Sequence, residues 1–202
     1  STPFTCTAEA AGVRTGCRVV AVPRVQTADA RSLNPRKVLT RVGLAVEIQV
    51  FSPQTGEYCS GVSCGEETGI QQLGETQPAC LITAVEEKAF TFSDDITLSA
   101  SKPAVTEILR TETELLCGES KIIGNKLIFK GEADFQLFYR DEGGEVHSSS
   151  FELPFSQIME VSGVGEDADC VLRVLTTDCE CIADGAESRT LSLSMNLLAQ
   201  AV

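Results

Sequence analysis

The chain has 202 residues, 43% of them hydrophobic, with nine Phe and no Trp, enough apolar side chain to bury a core as one large domain or two small ones. Its net charge of −13 and pI near 4.5 exclude nucleic acid or an anionic membrane as the main partner, because both require a basic footprint. No stretch approaches the length of a transmembrane helix and none reads as a signal peptide.

A short design occurs twice. Pro3-Phe4, Glu9 and Gly12-Val13 return at one constant offset as Pro154-Phe155, Glu160 and Gly163-Val164. After small slips Cys17 aligns with Cys170 and Ala28-Asp29 with Ala183-Asp184. A repeated unit without a reactive cluster points to a protein that works by its surfaces. The chain starts with Ser and enters at what resembles the middle of a repeat, so it reads as a piece of a longer protein.

In chain order, the first short strand is expected at Cys17–Val22. Val38, Thr40, Val42, Leu44, Val46, Ile48 and Val50 then form a period-two stripe, the signature of a long half-buried strand. Residues 57–78 are polar and carry Gly61, Gly65, Gly69 and Gly74, which predicts a connector between the copies. Short strands follow at Ala79–Val85, Ala89–Phe92 and Glu112–Cys117. Between the last two, Ser101 as a cap, Pro103 early and Val105, Ile108 and Leu109 beyond predict one helical turn.

From Lys126 to Arg140 the odd positions are Leu127, Phe129, Gly131, Ala133, Phe135, Leu137 and Tyr139, and the even ones are mostly charged or polar. This predicts a long strand bent near Gly131. Asp141-Glu142-Gly143-Gly144 supplies turn chemistry and Glu145–Leu153 the returning arm of a hairpin. A strand at Cys170–Leu175 and the stripe Leu191, Leu193, Met195, Leu197 and Ala199 close the second copy in the register of the first.

Charge is unevenly spread. Residues 1–51 hold seven basic side chains against three acidic ones, a net of +4, whereas residues 152–202 hold nine acids and two bases, a net of −7. Drift on solvated faces is one reading; attraction between the copies, or between successive molecules head to tail, is the other.

Reactive constellations are weak. Gly61-Val62-Ser63-Cys64-Gly65 matches the nucleophile-elbow pattern, but the elbow needs a parallel sheet and a following helix. His147, the only histidine, lies in a predicted strand beside Ser148, Ser149 and Ser150. The nine cysteines are odd in number. Cys59 and Cys64 lack a second pair of zinc-knuckle spacing, Cys179 and Cys181 share one face of a strand, and Cys17 and Cys170 read as small buried hydrophobes. This usage fits a reducing cytoplasm. Glu166, Asp167, Asp169, Asp94 and Asp95 lack EF-hand spacing and read as turn and loop carboxylates rather than a Ca²⁺ site. No Walker loop, dinucleotide fingerprint or zinc-protease motif occurs.

The stretch Ser101–Leu109, then Glu119-Ser120-Lys121-Ile122-Ile123-Gly124-Asn125-Lys126-Leu127-Ile128-Phe129-Lys130-Gly131, Leu137-Phe138-Tyr139-Arg140 and Phe151-Glu152-Leu153-Pro154-Phe155 resembles the SPOCS domain of SipL-type proteins from spore-forming Firmicutes. The lead-in Val85–Phe92 is similar, the signal covers roughly residues 80–202, and residues 1–51 resemble the closing half of an upstream copy. The resemblance implies a non-enzymatic role in endospore morphogenesis, where SipL-type members help the coat encase the forespore by binding the coat-basement ATPase, sporulation stage IV protein A. In those proteins a LysM domain supports that contact, and no LysM segment is visible in these residues. The family offers no catalytic residues to carry over.

The expectation is therefore an all-β protein of two related sandwich-like or curled-sheet units, residues 1–79 and 80–202. The first is represented mainly by its C-terminal half; its opening strands are missing, which leaves an exposed edge to be completed by residues of the connector or by another chain. No catalytic, cofactor or metal residues are assigned. The expected role is a protein-contact module of coat assembly, with coat-basement or coat proteins or further copies of the chain as partners, in the mother-cell cytoplasm, at the forespore surface or in the coat. The alternative is a β-sandwich that binds glycan or peptide at the cell wall.

Overall fold

The computed structural model describes residues 3–57, 59–61, 63, 69, 73–76, 81–185 and 188–202. The chain divides into two compact units, Ser1–Ile82 and Thr83–Val202.

The first unit is built on one antiparallel hairpin, β1 (Arg18–Asn34) and β2 (Lys37–Phe51), paired from Arg18↔Phe51 to Asn34↔Lys37. Asn34 closes the turn, its side-chain oxygen accepting from the Arg36 N–H at 3.0 Å. Both strands outrun their sequence expectations. β1 continues through Pro23, which an edge strand tolerates because the missing N–H would otherwise face away from the ladder. Among the described residues of the connector none forms a strand, so the sheet stays two-stranded.

The second unit is a sandwich of two three-stranded antiparallel sheets. One has the order β3-β8-β7, from β3 (Glu86–Thr97), β8 (Thr190–Ala201) and β7 (Leu172–Ala183). The other has the order β4-β5-β6, from β4 (Glu107–Ile123), β5 (Lys126–Arg140) and β6 (Val146–Glu160). The all-β antiparallel architecture is as the alternation predicts. β5 has the anticipated bounds, and its odd positions Leu127, Phe129, Ala133, Phe135, Leu137 and Tyr139 are fully buried. They pack on the inward stripe of β8, Leu191, Leu193, Met195, Leu197 and Ala199, to form the core. Burying a side chain of this size contributes roughly 1.5–3 kcal/mol, so these two central strands dominate the stability of the unit.

Gly131 is needed for packing. A Cβ there would lie 2.4 Å from the Phe155 ring and 2.7 Å from the Leu116 carbonyl oxygen. Gly131 and Phe155 are cross-strand partners, and the ring covers the gap the glycine leaves. The irregularity expected in this region falls on β4, whose register shifts between Cys117 and Ser120 opposite Gly131.

Three expectations are corrected. The segment Ser101–Leu109 contains no helix: a turn at residues 100–102 leads to an isolated bridge, Val105↔Ser188, and β4 begins at Glu107. Val105 is almost wholly buried, so the apolar spacing read as helical serves instead to staple the chain between the sheets. In Ala79–Val85, residues 81–85 are not strand, and Ala79 and Cys80 lie outside the described residues. Finally, the returning arm runs past Leu153 and Pro154 to Glu160, again because β6 is an edge strand.

Candidate interaction surface

The internal repeat is visible in the pairing of the two terminal hairpins. Ala28↔Val42 corresponds to Ala183↔Leu191, and Val19↔Val50 to Val174↔Ala199. Each ladder carries one register shift between those points, at Val25/Thr27 in β1 and at Thr176/Asp178 in β7. Upstream, the aligned Gly12 and Gly163 both adopt positive φ, 83° and 75°, a conformation natural to glycine in turns.

These kindred hairpins differ in burial. On β8 the inward stripe from Leu191 to Ala199 is at most 1% exposed. The corresponding stripe of β2 is partly open: Val42 is 57% exposed, Leu44 38% and Ile48 41%, while Val46 and Val50 are half-buried. Their cross-strand neighbours on β1 include Val25 and Val19, also exposed. Further along, Val38 pairs with Ser32, and Thr40 with Ala30. None of the residues on this face carries a charge. Arg18, Arg24, Asp29, Arg31, Arg41 and Glu47 fall on the opposite face. A long, uncharged apolar face in water marks an interaction surface.

Other candidate chemistry resolves into structural roles. His147 Nε2 lies 2.9 Å from Asp141 Oδ2, and its ring packs on Tyr139 with centroids 5.6 Å apart. Asp141 Oδ1 also accepts from the Glu145 N–H at 2.9 Å, so the carboxylate ties the β5–β6 turn to the first residues of β6. The His147 hydrogen bond, with help from the turn N–H groups, holds the Asp141 carboxyl below its usual range. Asp141, Glu145 and His147 are the one grouping among the described residues whose ligand atoms lie within 4.8 Å of one another, a coincidence of side chains at a single turn that sequence spacing alone did not single out. Tyr139 donates its hydroxyl to the Pro103 carbonyl at 3.1 Å.

Ser63 is exposed in the first unit outside any strand, and Val62, Cys64 and Gly65 of the elbow pattern lie outside the described residues. Cys64 takes with it the Cys59–Cys64 pairing. Cys17 and Cys170 are half-buried rather than buried. Cys179 and Cys181 share the inward face of β7, as their spacing predicts, and pack against the core. Burial, reinforced by the neighbouring Cys179, pushes the Cys181 thiol up to about 11, which suppresses the thiolate needed for nucleophilic or redox chemistry. Burial also raises the Cys170 thiol.

The acidic residues considered for Ca²⁺ serve the fold as well. Asp95 accepts from the Ser192 hydroxyl at 2.8 Å, Asp94 caps the Asp95 N–H at 2.9 Å, and Glu166 accepts from the Gly124 N–H at 3.1 Å. Asp167 and Asp169 are exposed. With Glu180, Ser192 and Ser194, the Asp94–Asp95 pair lines a shallow depression of about 450 Å³ on the outer face of the β3-β8-β7 sheet. No helix among the described residues is long and apolar enough to cross a membrane.

Residues 104–183 match the family model described as SipL, SPOCS domain. No curated protein and no solved structure matches the chain. The matched residues run from the bridge at Val105 through β4, β5 and β6 to the end of β7, so they supply one whole sheet and an edge of the other. The match lies wholly within the second unit, which over residues 104–183 is thus similar to the SPOCS domain of SipL.

Proposed function

We propose that the chain is a non-enzymatic interaction module that serves endospore coat assembly through protein–protein contacts. The observation that carries this reading is the SPOCS match over residues 104–183, a domain of sporulation proteins. The physical picture agrees with it. Chemistry-bearing side chains such as His147, Asp141 and Cys181 are engaged in the turn or the core, while the β1–β2 hairpin offers a broad apolar surface. Edge strands β3, β4, β6 and β7 add a second mode of contact, since an exposed edge accepts a strand from another protein.

The test is a pull-down from sporulating mother cells with this chain as bait. Recovery of coat-basement or coat proteins supports the reading. A glycan- or peptide-binding role at the cell wall is the second reading, favoured by the hydroxyl- and carboxylate-lined depression at Asp94, Asp95, Ser192 and Ser194. Tight binding to purified wall glycan with no coat protein recovered would replace the first reading with the second.

A further inference from the structure

Like charges crowd the outer face of the β4-β5-β6 sheet. Glu114, Asp134 and Glu152 are direct cross-strand neighbours in one row, and Glu132 stands beside them one row along β5. Carboxylates placed opposite one another destabilise a sheet. None of these four forms an ion pair among the described residues, whereas Glu112 in the next row is held by Arg110. The opposite imbalance lies towards the tip of the β1–β2 hairpin. On its charged face Arg24, Arg31 and Arg41 are exposed, with Arg36 and Lys37 at the turn, and none of the five forms an ion pair among the described residues. Val20 and Val22, on the same face at the base of the hairpin, are buried, so the free part of that face runs from Arg24 outward. We propose that the basic hairpin tip of one molecule docks on the acidic sheet face of the next, so that the chain associates head to tail. The proposal rests on reading the chain as an interaction module and names its partner as a further molecule of the same chain.

Charge selects both the partner and the polarity of the contact. Residues 1–51 carry a net +4, which leaves −17 of the total −13 on the rest of the chain, so one molecule holds both members of the pair. Tip on tip or sheet face on sheet face brings like charges together, and only the unlike pairing attracts. Spacing agrees with charge. The three carboxylates span about 10 Å across three strands, and Arg31 and Arg41, diagonal neighbours across β1 and β2, lie about 7–8 Å apart. Two guanidinium groups therefore reach two carboxylates at once, each in the bidentate geometry that suits an arginine. The hairpin face from Arg24 to the turn is about 35 Å long and about 10 Å wide, so the contact buries roughly 700 Å² in all, the size of a weak, reversible association. Because the two surfaces differ, the contact is heterologous: it leaves a tip free at one end and a sheet face free at the other, and it adds molecules instead of closing as an isologous pair.

The test is sedimentation velocity on the whole chain from about 3 to 300 µM, in about 20 mM and about 0.5 M NaCl, beside two charge reversals, Arg31→Glu/Arg41→Glu and Glu114→Lys/Glu152→Lys. All four positions are exposed, so both variants should keep the wild-type strand CD spectrum. The expected result for wild type is a concentration-dependent association in low salt that weakens at least about tenfold in high salt, where exposed charges are screened. Each reversal alone should stay monomeric, because its tip and its sheet face then carry the same sign. An equimolar mixture of the two should associate again, since each variant supplies the surface that the other lacks. A wild-type chain that stays monomeric at 300 µM in low salt overturns the proposal, and so does an association indifferent to salt. Reversals that keep the wild-type spectrum but fail to rescue each other overturn it too; if either fails to fold, the salt series on wild type decides. The readout needs no coat protein. Association without coat partners sinks only the coat reading, and captured coat proteins with a monomeric chain sink only this one.

Discussion

Replacing Gly131 with Ala sets two physical effects against each other. In an ordinary strand interior this change stabilises by about 0.5–1 kcal/mol, because glycine loses more backbone freedom on folding. Here the new methyl would lie 2.4 Å from Phe155 Cζ, 3.0 Å from Phe155 Cε1 and 2.7 Å from the Leu116 carbonyl oxygen. Phe155 is only 7% exposed and packs with Phe129 and Met159, so its ring cannot swing away freely. The Leu116 oxygen belongs to the paired strand β4 and moves only if the ladder does. Overpacking of this kind costs about 1–3 kcal/mol; with a backbone neighbour in the clash the upper part of that range applies, leaving a net loss of about 2 kcal/mol. For a unit of this size, each kcal/mol shifts the midpoint by roughly 3–6 °C, so thermal melts followed by far-UV CD should show a fall of roughly 6–12 °C. Phe155→Leu removes the clashing ring atoms. In that background Gly131→Ala should cost at least about 1 kcal/mol less, a coupling that a double-mutant cycle measures. An alanine variant that melts at or above the parent temperature would refute the packing argument.

Three further outcomes are expected. Tyr139→Phe removes the donor to the Pro103 carbonyl and should lower stability by about 0.5–1.5 kcal/mol in denaturant titrations, with no change in sheet content. Because the Asp141 carboxyl is held below its unfolded value, the stability it contributes is full above the unfolded pKa and is lost as pH falls through the folded one. The melting temperatures of wild type and Asp141→Asn should therefore differ at pH 6 and converge as the solution is acidified below about pH 4; a gap that persists at low pH would rule out this linkage. Finally, a thiol near 11 is ionised to only ~0.1% at pH 8. Mass-spectrometric mapping of thiol labelling should find Cys181 modified at least about a hundredfold more slowly than the exposed Cys6 and Cys59, and comparable rates would show that β7 does not bury it.

Strands whose two faces differ were the most legible part of the sequence. Lys126–Arg140 alternates between inward and outward types apart from Ile128, Gly131 and Phe138, and every odd position but Gly131 is buried in the structure. Where strands lie at a sheet edge the pattern misled. The expected strands stop at Val22 and Leu153, one residue short of Pro23 and Pro154, but an edge strand needs no ladder hydrogen bond on its free side, so β1 and β6 run straight through both prolines. The segment Ser101–Leu109 failed for another reason. Its apolar residues are spaced as on a helix, yet Val105 is spent on a bridge to Ser188 and Ile108 on the core, a tertiary demand that local periodicity cannot express.

The candidate surface was legible in part. The stripe from Val38 to Val50 is plain in the sequence, and the repeat places it opposite Leu191–Ala199. That one stripe is sealed and the other partly open cannot be read from either, since both satisfy the same alternation; exposure depends on whether a second layer lies across the strands. The Asp141–His147 pair was also hidden, because it arises from the geometry of a turn whose residues look like ordinary turn formers.

Amide hydrogen exchange at low micromolar concentration tests most directly the claim that two kindred hairpins share one pairing but not one cover. The amides of β8, bonded on both sides and beneath β5, should open only with the whole unit. Those of β2, paired with β1 alone, should exchange orders of magnitude faster, as a two-stranded ribbon is marginal in water. Equal protection of β2 and β8 in that dilute sample would contradict the account.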